Sequence, residues 1–237
     1  MRNKVPQTCD RAEFDQYSGS YNTEVNRALG FSPLKVDFFT KVKGEYLLDL
    51  IDSGDRVAGE AAFLDVGCGV GHIHSLLKDK VRRLTGIDVS KECIGVARQR
   101  LPEVDYRTYD GIHIPYPDAA FDGAFTICVL HHVPVLQRSA LIQEMRRILK
   151  PGGLIAVFEH NPRNPLTRRV VSRCEFDKNA VLLRRQECEG LLSQAGFSRV
   201  VSRYILTVPA VNSSLRKLDR AFARLPFGAQ YYTVGYR

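Results

Sequence analysis

The sequence has little of anything that would mark a special environment. No apolar run reaches 18 residues, so nothing reads as a membrane-spanning helix. The first thirty residues interleave Arg2, Lys4, Asp10, Arg11, Glu13, Asp15, Glu24 and Arg27, with no apolar core of the kind a secretory signal carries. The six cysteines, at positions 9, 68, 93, 128, 174 and 188, are nowhere closer than 14 residues. That spacing excludes CxxC zinc sites and a dense disulfide framework, and it fits free thiols in a reducing compartment. No clustered ligands appear, so no metal is expected. With no internal repeat and no low-complexity linker, nothing marks a boundary between independent domains. The expectation is a soluble, cytoplasmic protein with residues 1–237 as one domain.

What is present is ordinary in amount: 44% hydrophobic and 25% charged residues, 18 Gly and 11 Pro, near the averages for globular proteins. Lys and Arg (34) outnumber Asp and Glu (26), giving +8, which hints at an anionic partner without choosing one. Function must be sought in motifs.

Apolar residues at Val36, Phe39, Val42, Tyr46, Leu47, Leu50 and Ile51 have helical spacing, closed by Ser53-Gly54. From there strands and helices alternate. Predicted strands are Ala61 to Val66, Leu84 to Val89, Val104 to Tyr109, Ala124 to Leu130 and Leu154 to Phe158. Helices are predicted over His72 to Lys80, from the N-cap Ser90 to Leu101, and through Leu136, Ala140, Leu141, Met145, Ile148 and Leu149, stopped by Pro151-Gly152-Gly153. Near-continuous apolar strands between amphipathic helices predict a doubly wound α/β fold with a mostly parallel sheet. After His160 the pattern loosens. A helix from about Arg185 to Ala195 and two β-rich stretches, Arg199 to Val208 and Gln230 to Tyr236, would add an antiparallel edge and bring the sheet to seven strands.

The most informative stretch is Asp65-Val66-Gly67-Cys68-Gly69-Val70-Gly71, where the first predicted strand meets a helix. Glycines there permit unusual backbone angles and let a ligand approach the main chain. The spacing is GxGxG, not the GxGxxG of a pyrophosphate site, and Asp65 would repel a diphosphate but could receive an ammonium. Asp88 closes the second strand where doubly wound folds place a ribose-binding acid, and Asp110 ends the third. The implied ligand has a ribose and positive charge, without a diphosphate.

These residues resemble the class I S-adenosylmethionine-dependent methyltransferases, in particular the small-molecule subgroup. The matching pieces, in order and spacing, are FLDVGCGVG (Phe63 to Gly71), TGIDVS (Thr85 to Ser90), YDGIHIPYPDAAFD (Tyr109 to Asp122), VLHHV (Val129 to Val133) and LKPGGLIAVFEH (Leu149 to His160). The resemblance implies a Rossmann-like fold with a helical lid over residues 1–57, a cofactor core over 58–160 and a substrate half over 161–237. It implies S-adenosylmethionine as cofactor. Gly67 and Gly69 would approach its methionine part with Asp65 ordering that end, Asp88 would take the ribose hydroxyls, Val89 would lie beside them, and Asp110, Gly111 and Ile112 would meet the adenine. The backbone of Cys128 would lie beside the methionyl portion. Tyr21, with Tyr17, precedes the leading helix, where relatives fold a segment over the cofactor.

For the chemistry, histidines with their unperturbed pKa of about 6.5 are the candidates. These are His131, His132 and His160, with Glu159 adjacent and His72 as turn chemistry. In an extended segment at most one of His131 and His132 faces the crevice. The resemblance makes His131 the better candidate for an acceptor-specific role. Two segments, Asn161 to Arg185 and Arg199 to Arg224, each carry a net +5, predicting a basic cap over the acceptor pocket and an anionic or glycosylated small-molecule acceptor methylated on oxygen. No zinc knuckle, RNP-like aromatic pair or acidic-Pro-Pro-aromatic tetrapeptide appears, so nucleic acid is not the expected partner. The amphipathic Leu215, Leu218, Phe222 and Leu225 leave a membrane surface or a lipid-linked acceptor as the alternative. Action on RNA or protein, and cofactor binding without transfer, are the remaining alternatives.

Overall fold

The computed structural model describes residue 15 and residues 21–30, 34–53 and 58–237. Helices α1 (Tyr21–Ala28) and α2 (Val36–Asp52) lead into an alternation of β1 (Ala62–Val66), α3 (His74–Leu77), β2 (Arg83–Asp88), α4 (Lys91–Arg100), β3 (Asp105–Thr108), β4 (Phe121–Ile127), α5 (Val135–Ile148) and β5 (Leu149–His160). Then follow α6 (Pro165–Val171), α7 (Arg185–Gln194), β6 (Ser198–Ile205), α8 (Ser213–Ala221) and β7 (Gln230–Tyr236). The seven strands form one sheet in the order β3-β2-β1-β4-β5-β7-β6. The β3-to-β5 part is parallel, and β7 runs antiparallel to both β5 and β6. The predicted doubly wound, seven-stranded sheet is present, with one refinement. The antiparallel strand is not the edge but lies between β5 and β6.

Local chemistry explains the elements. All five residues of β1 are buried, as a central strand covered on both faces requires. Gly123 lets β4 lie against β1, since a Cβ there would stand 2.0 Å from the Phe63 ring. Ser90 caps α4, its Oγ accepting from Cys93 N at 3.0 Å. One apolar layer joins β1, β4 and β5 to α5 and α7, around Leu64, Leu141, Met145, Ile155 and Leu192. The other packs α2, α3 and α4 on the opposite face, around Leu47, Leu77, Ile94, Phe125 and Phe158.

Some boundaries move. The predicted helix from His72 to Lys80 contracts to the four residues of α3. The fourth strand ends at Ile127, because Cys128 turns to φ +58° while its N–H donates to Phe158 O at 2.8 Å. β5 begins at Leu149, which pairs with Phe121, so Pro151-Gly152-Gly153 lies within the strand rather than before it. Helix α6 fills the loosened stretch after His160. Its start is written in Asn164-Pro165, where Asn164 Oδ1 accepts from Leu166 N and Thr167 N at 2.9 and 3.1 Å. Among the described residues no helix is long and apolar enough to cross a membrane.

Candidate active site

The glycine turn hangs from the end of β2: Gly67 N and Cys68 N both donate to Ile87 O, at 2.8 and 3.0 Å. Gly67, Gly69 and Gly71 all have left-handed φ, of +79°, +52° and +70°. A Cβ on Gly69 would meet nothing within 4 Å, so its main chain faces open space. Asp88 sits beside it. Oδ2 accepts from Gly69 N at 2.7 Å and Oδ1 from Ser90 N at 2.9 Å, tying the carboxylate to the turn. Burial pushes the Asp88 carboxyl up from its ordinary pKa, and these two bonds oppose that shift.

Gly67, Gly69, Asp88, Val89, Tyr109, Gly111 and Cys128 line a cavity of about 490 Å³, within the 300–1,000 Å³ common for small-ligand sites. Among the described residues Lys43 of α2 brings an ammonium group to its wall, with Nζ 3.8 Å from Cys128 Sγ. The N-terminal helices and the segments 164–177, 206–209 and 227–230 supply much more of the wall, largely with apolar side chains.

Three imidazoles on the wall of the same cavity stand together: His131, His132 and His160. His131 is buried, its ring centroid 4.2 Å from that of His132 and 5.2 Å from that of His160. Its Nδ1 lies 2.6 Å from Glu159 Oε2, and its Nε2 is 3.6 Å from Asp177 Oδ1. His132 Nε2 is 3.3 Å from that same oxygen. Burial alone would lower the His131 pKa, but the carboxylates of Glu159 and Asp177 outweigh it and raise it to about 10. His160 goes the other way, to about 4, through burial and the neighbouring His131 charge. His132 is lowered by the same two causes. The two carboxylates thus hold His131 above the ordinary imidazole range, while burial and His131 hold His132 and His160 below it.

Comparison with known proteins places this arrangement. The family pattern described as "Methyltransferase domain" matches residues 64–157, the stretch that carries the turn, Asp88 and the histidine pair. A ubiquinone biosynthesis O-methyltransferase of Dechloromonas aromatica is 30% identical over 171 residues, covering 66% of this chain and 67% of that protein. The chain belongs to the S-adenosylmethionine-dependent methyltransferases. An O-methyltransferase of Penicillium expansum is 32% identical over 71% of this chain and 65% of its own length. Among solved structures, an S-adenosylmethionine-dependent methyltransferase from Thermotoga maritima superposes with a TM-score of 0.66 at 20% identity, covering 95% of this chain and 98% of that one. The chain spans about half the length of other curated relatives, 50% and 42% in two of them.

As a member of this family the protein uses S-adenosylmethionine, and the turn fits that cofactor: the missing Gly69 side chain leaves main chain bare beside a buried carboxylate. Not every carboxylate named from the sequence joins it. Asp65 turns away, with Oδ2 2.9 Å from Nε2 of the buried His74, whose ring stacks on Tyr106. Asp110 is exposed and caps its own loop, accepting from Ile112 N, His113 N and His113 Nδ1 at 2.7 to 2.8 Å. Burial would raise it, but these bonds outweigh that and hold it at about 2. Neither Asp110 nor Ile112 is on the cavity wall, whereas Tyr109 and Gly111 are. Tyr17 lies outside the described residues, as does the side chain of Tyr21.

Both His131 and His132 reach the cavity, against the expectation for an extended segment. Residues 129–133 form a turn instead, with His132 N donating to Val129 O and Val133 N to Leu130 O. Among the described residues the two basic segments keep their basic side chains off the cavity wall. Arg216 and Arg220 instead pin α8 to Glu45 and Asp49 of α2. Sequence reasoning missed Lys43, His74 and Asp177. Helical periodicity placed Lys43 one position beyond the apolar Val42, but only the fold sets it on the cavity wall beside Cys128.

Proposed function

We propose that this methyltransferase moves the methyl group of S-adenosylmethionine to a hydroxyl oxygen of a small molecule with an apolar body. The observation that supports this reading is the single cavity joining the Gly69–Asp88 cradle to the three imidazoles. When bound, the cofactor supplies a methyl on a sulfonium, an already activated leaving group, so alignment supplies much of the acceleration. Gly67 and Gly69 offer main chain to its methionine end, and Lys43 offers a cation to its carboxylate. Asp88, already anchored by two N–H groups, takes the ribose hydroxyls, while Val89, Tyr109 and Gly111 enclose the base. The imidazoles orient the acceptor oxygen, and a neutral one receives its proton. Leu34, Val133, Pro134, Val170, Leu206 and Pro209 shape the room for the acceptor. An anionic or glycosyl portion of the acceptor would remain outside, where Arg168 and Arg169 are exposed on α6.

A lipid-linked acceptor is the second reading. Leu166 and Phe227 border the cavity yet are 60% and 64% exposed, an apolar rim of the sort that a long chain could cross.

Calorimetric titration of wild type and Asp88→Ala with S-adenosylmethionine and S-adenosylhomocysteine tests the cofactor end. At least tenfold weaker binding in the variant is expected, whereas equal affinity would remove Asp88 from the ribose. Methylation assays with hydroxylated acceptors, free or embedded in vesicles, separate the two acceptor readings.

A further inference from the structure

We propose that His131, His132 and Asp177 form a binding site for one divalent first-row transition ion, zinc being the type case, with open coordination positions toward the acceptor end of the cavity. One ligand-type atom from each residue lies within 4.8 Å of the others. Asp177 Oδ1 is 3.3 Å from His132 Nε2 and 3.6 Å from His131 Nε2. Atoms bound to one zinc at 2.0–2.2 Å stand roughly 3.0–3.6 Å apart, so the carboxylate already keeps ligand spacing to both imidazoles.

Three further observations point the same way. The Asp177 side chain is 6% exposed, and its Oδ1 faces the Nε2 atoms of both imidazoles in ion-pair contact without a hydrogen bond of good geometry to either, a spacing that one ion would bridge. Glu159 holds the other nitrogen of His131 at 2.6 Å, the outer carboxylate that fixes the ring of a metal-bound histidine with Nε2 toward the ion. Glu159 is itself held, with Oε1 accepting from Leu130 N at 2.8 Å. All three proposed ligands border the cavity, so exchangeable positions would face its interior rather than protein. Two nitrogens and one oxygen suit zinc, cobalt or iron(II) better than magnesium or calcium, which want oxygen.

The role of the ion, though not its binding, rests on the hydroxyl-acceptor reading. An acceptor oxygen coordinated there would lose its proton near neutrality: the O–H bond breaks, the electron pair stays on oxygen, and the proton passes to His160, the imidazole that is not a ligand. The oxygen pair then forms the bond to the methyl carbon as the carbon–sulfur pair departs with sulfur.

The test uses the full chain after chelator treatment, titrated with Co²⁺ by visible absorption and with Zn²⁺ by calorimetry. One ion per chain with a d–d spectrum is expected. Asp177→Asn should weaken binding at least tenfold, and Glu159→Gln, which spares all three ligands, by about 10- to 100-fold. The wild-type spectrum needs no variant to fold, and thermal melts verify that the variants do. Wild type without saturable uptake, or equal affinity in Asp177→Asn, overturns the site. S-Adenosylhomocysteine titration in parallel keeps the readings apart: nucleoside binding without metal uptake defeats only this inference, and metal uptake without nucleoside binding defeats only the proposed Gly69–Asp88 cradle and the hydroxyl transfer that rests on it.

Discussion

Asp219 offers the sharpest test of how the cavity roof is held. It lies on α8 with its side chain fully buried and accepts four hydrogen bonds. Oδ2 takes Tyr46 Oη of α2 at 2.8 Å and Leu206 N at 2.9 Å, while Oδ1 takes Thr207 N and Val208 N at 2.7 and 3.0 Å. One carboxylate thus ties α8, α2 and the segment 206–209 of the cavity wall together. Asp219→Ala strands three backbone donors and a buried phenol. Each stranded buried donor costs about 1–3 kcal/mol, and since the loop is only part-buried and admits water, the low end applies, about 4 kcal/mol in all. That is a large share of the roughly 5–15 kcal/mol of a whole domain. At about 2–4 °C per kcal/mol for a chain of this size, the expected loss in Tm is roughly 8–16 °C. Asp219→Asn keeps one acceptor oxygen and should fall between. Urea unfolding of the three proteins measures it. A Tm or stability loss in Asp219→Ala equivalent to under about 1 kcal/mol would refute the claim that this carboxylate is the roof anchor.

Further outcomes follow from the cavity wall. Gly67→Ala should lose roughly 2–4 kcal/mol, from left-handed φ and from a Cβ 2.5 Å from Val129 Cγ2; adding Val129→Ala should restore the clash part, and a denaturation cycle showing no coupling would disprove that contact. Lys43→Ala should weaken S-adenosylmethionine more than a decarboxylated analogue, as competition binding would reveal. His72 also gives a pH signature. Burial and then Arg100 push its pKa down to about 4, with Asp37 opposing and Lys43 adding to the shift. The unfolded chain therefore takes up this proton near pH 6.5 while the folded one does not, so stability falls as pH drops from about 6.5 toward about 4. In His72→Gln that part of the acid-side slope should vanish, and an unchanged slope in pH-dependent melts would show that the ring is solvated.

The sequence announced the sheet and the turn because both are local. An apolar run ending at Gly67, a Ser90 cap, and a carboxylate closing β2 are decided by neighbours within a few positions. The histidine cluster is not of that kind. Asp177 lies 45 positions beyond His132, in a stretch without periodicity, and nothing near either residue says that a 3₁₀ turn at Glu175–Asp177 will bring it within 3.3 Å. Asp65 failed for the opposite reason. Its place in the motif is right, but His74, one helical turn beyond the glycines, claims its carboxylate. The insertion of β7 was equally hidden, since alternation in residues 230–236 tells that a strand forms and not which partners it takes.

That insertion shapes the order in which the molecule can assemble. β5 and β6 do not pair with each other, so while a ribosome is still threading out residues 161–229, the half-built sheet displays β5 as a bare, highly apolar border, the kind of surface that recruits chaperones or sticks to a neighbour. Only when the segment Gln230–Tyr236 slides between them do both gain a partner, and the same event brings Gln230 to the wall of the cavity. A nascent chain stalled before that segment should be protease-sensitive along β5 and β6 and barren of nucleoside binding, however complete its glycine turn.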